Sequence, residues 1–224
     1  PAKAPSVTLY SLDKPSVAWR GLLSTTSSKV DAFGAKMIGE FSNAFAEPYG
    51  VSDAELFLSG VGANIISIRT DAEGDQPALI ATVTNSEAVR KALSKDLKPD
   101  KVASDAFGFE VLKDEDSMAV FAGNTIIAGD SDAVNACLQS KSAGSSLNAS
   151  FVQLFRSGNS AASLSFDSEQ ALQIADLISE KRSDSKTVSS ATLTETRFTR
   201  TAIERRTISD LGFIGWLTAQ TSAE

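Results

Sequence analysis

Histidine is absent from these 224 residues, and there is a single cysteine, Cys137. Without an imidazole there is no Ser-His-Asp or Cys-His machinery. Zinc and copper sites lean on His and Cys, and one thiol cannot furnish a Cys₂ or Cys₄ set. A CxxC redox pair and an internal disulfide are excluded as well. No apolar run approaches the roughly 18 residues that a membrane-spanning helix needs. Positive charge is in the minority, with 21 Lys and Arg against 28 Asp and Glu, a formal net charge of -7. That balance argues against sequence-independent nucleic-acid binding, which needs a basic surface to release counterions. It also argues against purely electrostatic docking on anionic lipid.

What is present is ordinary for a globular chain: 42% hydrophobic and 22% charged residues, close to the usual averages. The length suits one large domain or two small ones, and it is enough to bury a sizeable core. The remaining chemistry is that of carboxylates and lysines. No catalytic, cofactor-binding or metal-binding set can be assigned from it, and a non-catalytic protein is the expectation. The chain opens on a polar PAKAPS stretch and is rich in Ser, Thr and Ala. This reads as an extracytoplasmic protein, periplasmic or in the cell envelope, after removal of a signal.

Periodicity divides the chain. Residues 7–12 (VTLYSL) alternate as a first strand. Pro15 opens a helix with Trp19, Leu22 and Leu23. In a second helical stretch Val30, Phe33, Met37, Phe41 and Phe45 recur at spacings of three and four, one continuous apolar stripe. Packing against a sheet is the expected role of that stripe; the alternative is a pocket for a lipid or other apolar ligand between this helix and the sheet. Ser52 with Glu55 reads as a capping box. Residues 64–70 and 78–84 then alternate as a hairpin, followed by a helix over 86–97. Residues 118–122 and 125–129 form a second hairpin about Gly123-Asn124.

The two hairpins are followed by similar stretches, NSEAVRKALSK (85–95) and DSDAVNACLQSK (130–141), and a looser copy is DSEQALQIADL (167–177) after a strand at 161–166. Each has an Asn or Asp cap and an acidic first turn suited to the helix dipole. The expectation is an α+β fold of quasi-repeated β-β-α units, a mostly antiparallel sheet with helices packed on one face. A single domain over 1–224 is expected, with the small-residue stretch 140–150 as the place where two lobes would divide. Cys137 aligns with Ala92 of the first copy and reads as a buried small hydrophobe.

Apparent motifs fail on context. GVGANI (60–65) lacks the third glycine of a dinucleotide fingerprint and precedes a strand instead of following one. SLDK (11–14) and SDSK (183–186) match S-x-x-K without the companion S-D-N and K-T-G elements. Asp71, Glu73 and Asp75 lack the glycine position and later glutamate of a calcium loop.

The last third ends in a long hairpin, 188–198 with 202–209. Thr192, Thr194, Thr196 and Phe198 fall on one face, and Leu193, Glu195 and Arg197 on the other. Arg197, Arg200, Arg205 and Arg206 gather here in an otherwise acidic chain, with Glu195 and Glu204 as candidate cross-strand counter-charges. An apolar segment with Phe213 and Trp216 follows. These four arginines and two aromatics are the candidate partner-binding residues, facing one or more protein partners, a membrane complex among them.

The stretch TLTETRFTRTAIERRTISDLGFIG (192–215), through Thr194, Glu195, Arg197, Phe198, Ile203, Glu204, Arg205, Arg206, Gly212 and Phe213, resembles a group of uncharacterised bacterial envelope proteins, periplasmic or lipoprotein-like. Their hairpin glycine is replaced here by Arg200 or Thr201. The resemblance implies export and carries over no catalytic residue or functional site. The functional expectation is a scaffold or extrinsic accessory subunit of an envelope or membrane complex.

Overall fold

The computed structural model describes residues 4–71, 76–144, 160–167, 190–198 and 202–209. The strands are β1 (Ser6–Ser11), β2 (Val61–Arg69), β3 (Pro77–Val83), β4 (Lys98–Pro99), β5 (Glu110–Lys113), β6 (Ser117–Ala122), β7 (Thr125–Asp130), β8 (Ser160–Asp167), β9 (Ser190–Phe198) and β10 (Ile203–Ser209). The helices are α1 (Pro15–Ser27), α2 (Ala32–Phe41), α3 (Ala54–Gly60), α4 (Ser86–Ala92), α5 (Lys101–Phe107) and α6 (Ser131–Ser142). Two 3-10 turns, Ser42–Phe45 and Glu47–Tyr49, join α2 to α3.

The strands form one ten-stranded sheet in the order β10-β9-β8-β1-β2-β3-β7-β6-β5-β4. Every pairing is antiparallel. The α+β class and the antiparallel sheet agree with the sequence reading, and so do both hairpins and the strand β8. Strands on either side of 145–159 belong to the same sheet. The looser third copy after Asp167 lies outside the described residues.

Helix placement differs in one respect: helices cover both faces of the sheet. On one face Ile65, Leu79, Ala81, Ile126, Ala128, Ala119 and Phe121 pack with Phe57 of α3 and Val89 and Ala92 of α4. On the other, Ile68, Ala78, Ile127, Met118, Val120 and Val111 pack with Ala133, Val134, Cys137 and Leu138 of α6, and α5 adds Ala103 and Phe107. The reason lies in the strands. Met118 to Ala122 is apolar at every position, and so is Ala78 to Ala81. A strand apolar on both parities needs cover on both sides. Each fully buried Val or Ile here, such as Val89, Val120 and Ile126, contributes about 1.5–3 kcal/mol.

The repeated caps are real. Asn85 Oδ1 accepts from the Ala88 amide at 3.2 Å, and Asp130 Oδ1 accepts from the Asp132 and Ala133 amides at 3.0 Å each. The helices they start lie on opposite faces all the same. α4 begins after a two-residue connection from β3, whereas α6 follows β7 directly. The expected capping box at Ser52 is replaced by a neighbour. Asp53 Oδ1 accepts from the Leu56 amide at 2.9 Å, while Ser52 Oγ donates to the Ala92 and Leu93 carbonyls. Glu55 pairs instead with Arg20 at 3.3 Å.

Candidate docking surfaces

The C-terminal hairpin forms as expected, β9 pairing antiparallel with β10 from Phe198 opposite Ile203. Arg197 lies opposite Glu204, Glu195 opposite Arg206, and Thr196 opposite Arg205. Parity therefore separates the arginines: Arg197 and Arg206 share one face of the sheet, and Arg205 falls on the other. Glu195 is buried, and its Oε1 accepts from Arg197 Nε at 3.1 Å. This ion pair runs along one strand, two residues apart, and not across the hairpin. Arg205 and Arg206 are exposed. A half-open depression of about 210 Å³ is lined by Glu195, Arg197, Glu204, Arg205 and Arg206. Arg200, Phe213 and Trp216 lie outside the described residues.

On the opposite face, hydroxyl side chains stand in register across five strands: Ser67, Thr8, Ser163, Thr194 and Thr207. They bond largely to one another. Thr8 and Ser163 are 2.9 Å apart, Thr194 and Thr207 3.3 Å, and Ser67 meets the Tyr49 hydroxyl at 2.7 Å. Burial raises the pKa of the nearby Tyr10 phenol, Tyr49 adds to the rise, and Arg69 opposes it. The row is a structural ladder whose members satisfy each other's hydrogen bonds.

The most unusual surface was not expected. The phenylalanines of the apolar stripe face solvent: on α2 Phe33 is 71% exposed and Phe41 56%, and in the 3-10 turn after it Phe45 is 76% exposed. Val30 beside them and Val17 and Leu22 on α1 are exposed as well. No described residue of α2 is buried, and α1 buries only Pro15. The expectation that the stripe packs on the sheet is overturned. The α2 helix is held by α1 and by the turn Ser42–Phe45, while α1 leans on α3. It starts from a good cap, Asp31 Oδ1 accepting from the Gly34 amide at 2.8 Å, and it ends in the 3-10 turns before Gly50. The spacing was legible in the sequence; its exposure was not. Because the phenylalanines point outward, they do not line an enclosed space against the sheet.

Among the described residues reactive groups do not gather elsewhere. Cys137 is buried, and burial raises the pKa of its thiol, which suits packing and not nucleophilic attack. Among the described residues no group of three or more Cys, Asp and Glu converges as a metal cage. No helix among them is long and apolar enough to cross a membrane. SLDK (11–14) spans the end of β1 and the entry to α1; SDSK (183–186) and residues 72–75 lie outside the described residues.

No family model matches the chain, and no curated protein matches it significantly. Among solved structures it is similar to three crystal forms of TP0453. Form I has 10% identity and a TM-score of 0.47, covering 90% of this chain and 72% of that one. Form III has 11% and 0.45, covering 90% and 74%. Form IV has 12% and 0.48, covering 97% and 81%. At this level of likeness, function rests on the chain's own geometry.

Proposed function

We propose that the protein is a non-catalytic, extracytoplasmic accessory protein, a scaffold or extrinsic subunit that attaches to a larger envelope or membrane complex through the α1–α2 arm. One observation carries this reading. The amphipathic helix α2 exposes Phe33 and Phe41, the 3-10 turn after it exposes Phe45, and no described residue of α2 is buried. Exposed aromatic clusters of this kind mark interaction sites, and large aromatics anchor interfaces. The lack of histidine, with a lone buried thiol, supports a role outside catalysis. The envelope location rests on the resemblance of residues 192–215 and on the Ser-, Thr- and Ala-rich composition.

The test is a gentle crosslinked pull-down from the native source, run separately on membrane and soluble fractions. The wild-type chain is expected in a defined stoichiometric complex. A Phe33→Ser/Phe41→Ser/Phe45→Ser variant should lose that complex by about tenfold or more, since hot-spot aromatics each carry about 2 kcal/mol. Its melting temperature should stay close to wild type, because exposed substitutions change stability by about 0.5 kcal/mol or less. Equal recovery of wild type and variant would sink the proposal. Flotation of the purified protein alone on phosphatidylglycerol vesicles would make the target the bilayer itself.

A further inference from the structure

The two ends of the described sheet differ in kind. At one end β4 has two residues, and one of them, Pro99, has no N–H to offer a further strand. At the other end β10 has seven residues, none of them proline or glycine, and pairs with β9 along its whole length. Among the described residues no strand lies beyond it. Residues 202–206 and Ile208 are exposed, Ile203 at 71%. An edge of this length is a template for another strand.

Strand parity sets the charges at this edge. Glu204 and Arg206 lie on one face and Arg205 on the other. The first face also holds Arg197, opposite Glu204, and Glu195, opposite Arg206. With two charges of each sign it is neutral, and it favours neither an acidic nor a basic partner. Its order is self-complementary instead. The geometry points to a second copy of this chain, its β10 pairing antiparallel with this one about a two-fold axis at Arg205. Such an axis keeps each face continuous across both sheets. Glu204 then meets Arg206 of the second copy, and Arg206 meets Glu204 of the second copy. Charges alternate across four strands: Glu195 and Arg206 of one copy, then Glu204 and Arg197 of the second copy, and the same again by symmetry. On these faces Ile208 falls opposite Ala202, and Ile203 opposite Thr207. An axis at Glu204 or Arg206 would set like charges against each other on the neutral face, so the alternation also fixes the register. One unfavourable meeting remains, Arg205 with its own copy, on the face where Thr196 is its neighbour across the hairpin.

The experiment uses the full chain. Sedimentation velocity over a concentration series should show a reversible monomer–dimer equilibrium. Arg205→Thr removes the like-charge meeting and should tighten the dimer by up to about fivefold. Glu204→Gln removes two opposite-charge meetings and should loosen it about twofold or more. Both residues are exposed, so both variants should fold. Cysteines test the register. Arg205→Cys faces itself across the axis and should give a covalent dimer on mild oxidation. Glu204→Cys and Arg206→Cys should each crosslink poorly alone and well when mixed. Cys137 is buried, so the wild-type chain should stay uncrosslinked. The dimer should persist in the triple phenylalanine variant, which separates this edge from the α1–α2 arm. A chain that stays monomeric to about 1 mM, a dimer unmoved by both charge variants, equal crosslinking at the three cysteine positions, or loss of the dimer in the triple phenylalanine variant would each overturn the assignment.

Discussion

Gly129 sits in β7 with φ at +148°, and a Cβ there would fall 2.2 Å from the Pro77 carbonyl oxygen on β3. The β3–β7 pairing is the seam between the two hairpins, with Ala78 opposite Gly129. Alanine at 129 must either push β3 away or strain its own backbone. Gly129→Ala is expected to lower unfolding free energy by about 2–4 kcal/mol, combining backbone strain and overpacking. Gly123 provides the comparison. It turns the β6–β7 hairpin at φ +64° with nothing within 4 Å of the added Cβ. Gly123→Ala should therefore cost about 1–2 kcal/mol, the left-handed penalty alone. Urea denaturation of the two variants tests the order; a reversed order would mean that the seam yields easily. At this scale the sequence was partly legible. Gly123-Asn124 announced its turn by composition, while Gly129 looks in sequence like any small strand residue. The Arg90 guanidinium, bonded to Glu110 at 2.5 and 2.6 Å and stacked 4.2 Å over Phe121, was equally hidden, because its partners come from two other elements. The Glu110 carboxyl has a lowered pKa through that Arg90 hydrogen bond.

Elements were legible where local chemistry alone defines them. The caps of α4 and α6 follow from side chains that reach their own backbone, so DSDAV and NSEAV predicted helix starts that the structure contains. Asp130 makes two such bonds, at 3.0 Å each. Asp130→Ala should destabilise the protein by about 1 kcal/mol, and Asp130→Asn by much less, since both oxygens cap comparably. Thermal melts of the two variants check this; equal losses would assign the effect to charge and not to capping. Two stretches escaped the sequence reading for different reasons. The β4–α5–β5 segment, from Lys98 to Lys113, contains a two-residue strand, a seven-residue helix and a four-residue strand, too short for any period to emerge. Phe33, Met37 and Phe41 share helix α2 as the spacing predicts, with Val30 before its cap and Phe45 in the 3-10 turn beyond it, yet the same spacing of three and four serves a buried helix and a docking helix. Periodicity tells which residues share a face; what covers that face is decided by elements elsewhere in the chain. The hairpin arginines show the same limit. Their clustering in sequence is real, but strand parity sends Arg205 to the opposite face from Arg197 and Arg206.

Across the whole molecule, order should follow cover. β3, β6 and β7 contribute buried apolar residues to both faces of the sheet, with α3 and α4 on one side and α5 and α6 on the other. Opening any of them exposes both cores at once. The α1–α2 arm stands at the other extreme, with Pro15 as its single buried described residue. Local opening free energies in proteins range from near zero in such peripheral elements to the global value in doubly covered strands. Amides of Ile126, Ile127 and Ala128 are therefore expected to exchange with solvent only through global unfolding. Amides of α2 should exchange through local fraying, faster by about three orders of magnitude or more, the equivalent of about 4 kcal/mol. Hydrogen–deuterium exchange read by mass spectrometry resolves the two regions. In the presence of the attached complex, protection should rise in α2 and leave β7 unchanged, because only the arm changes its cover. If α2 in the isolated chain were as slow as β7, its aromatic face would already be covered in solution, and attachment through that face would lose the observation on which it rests.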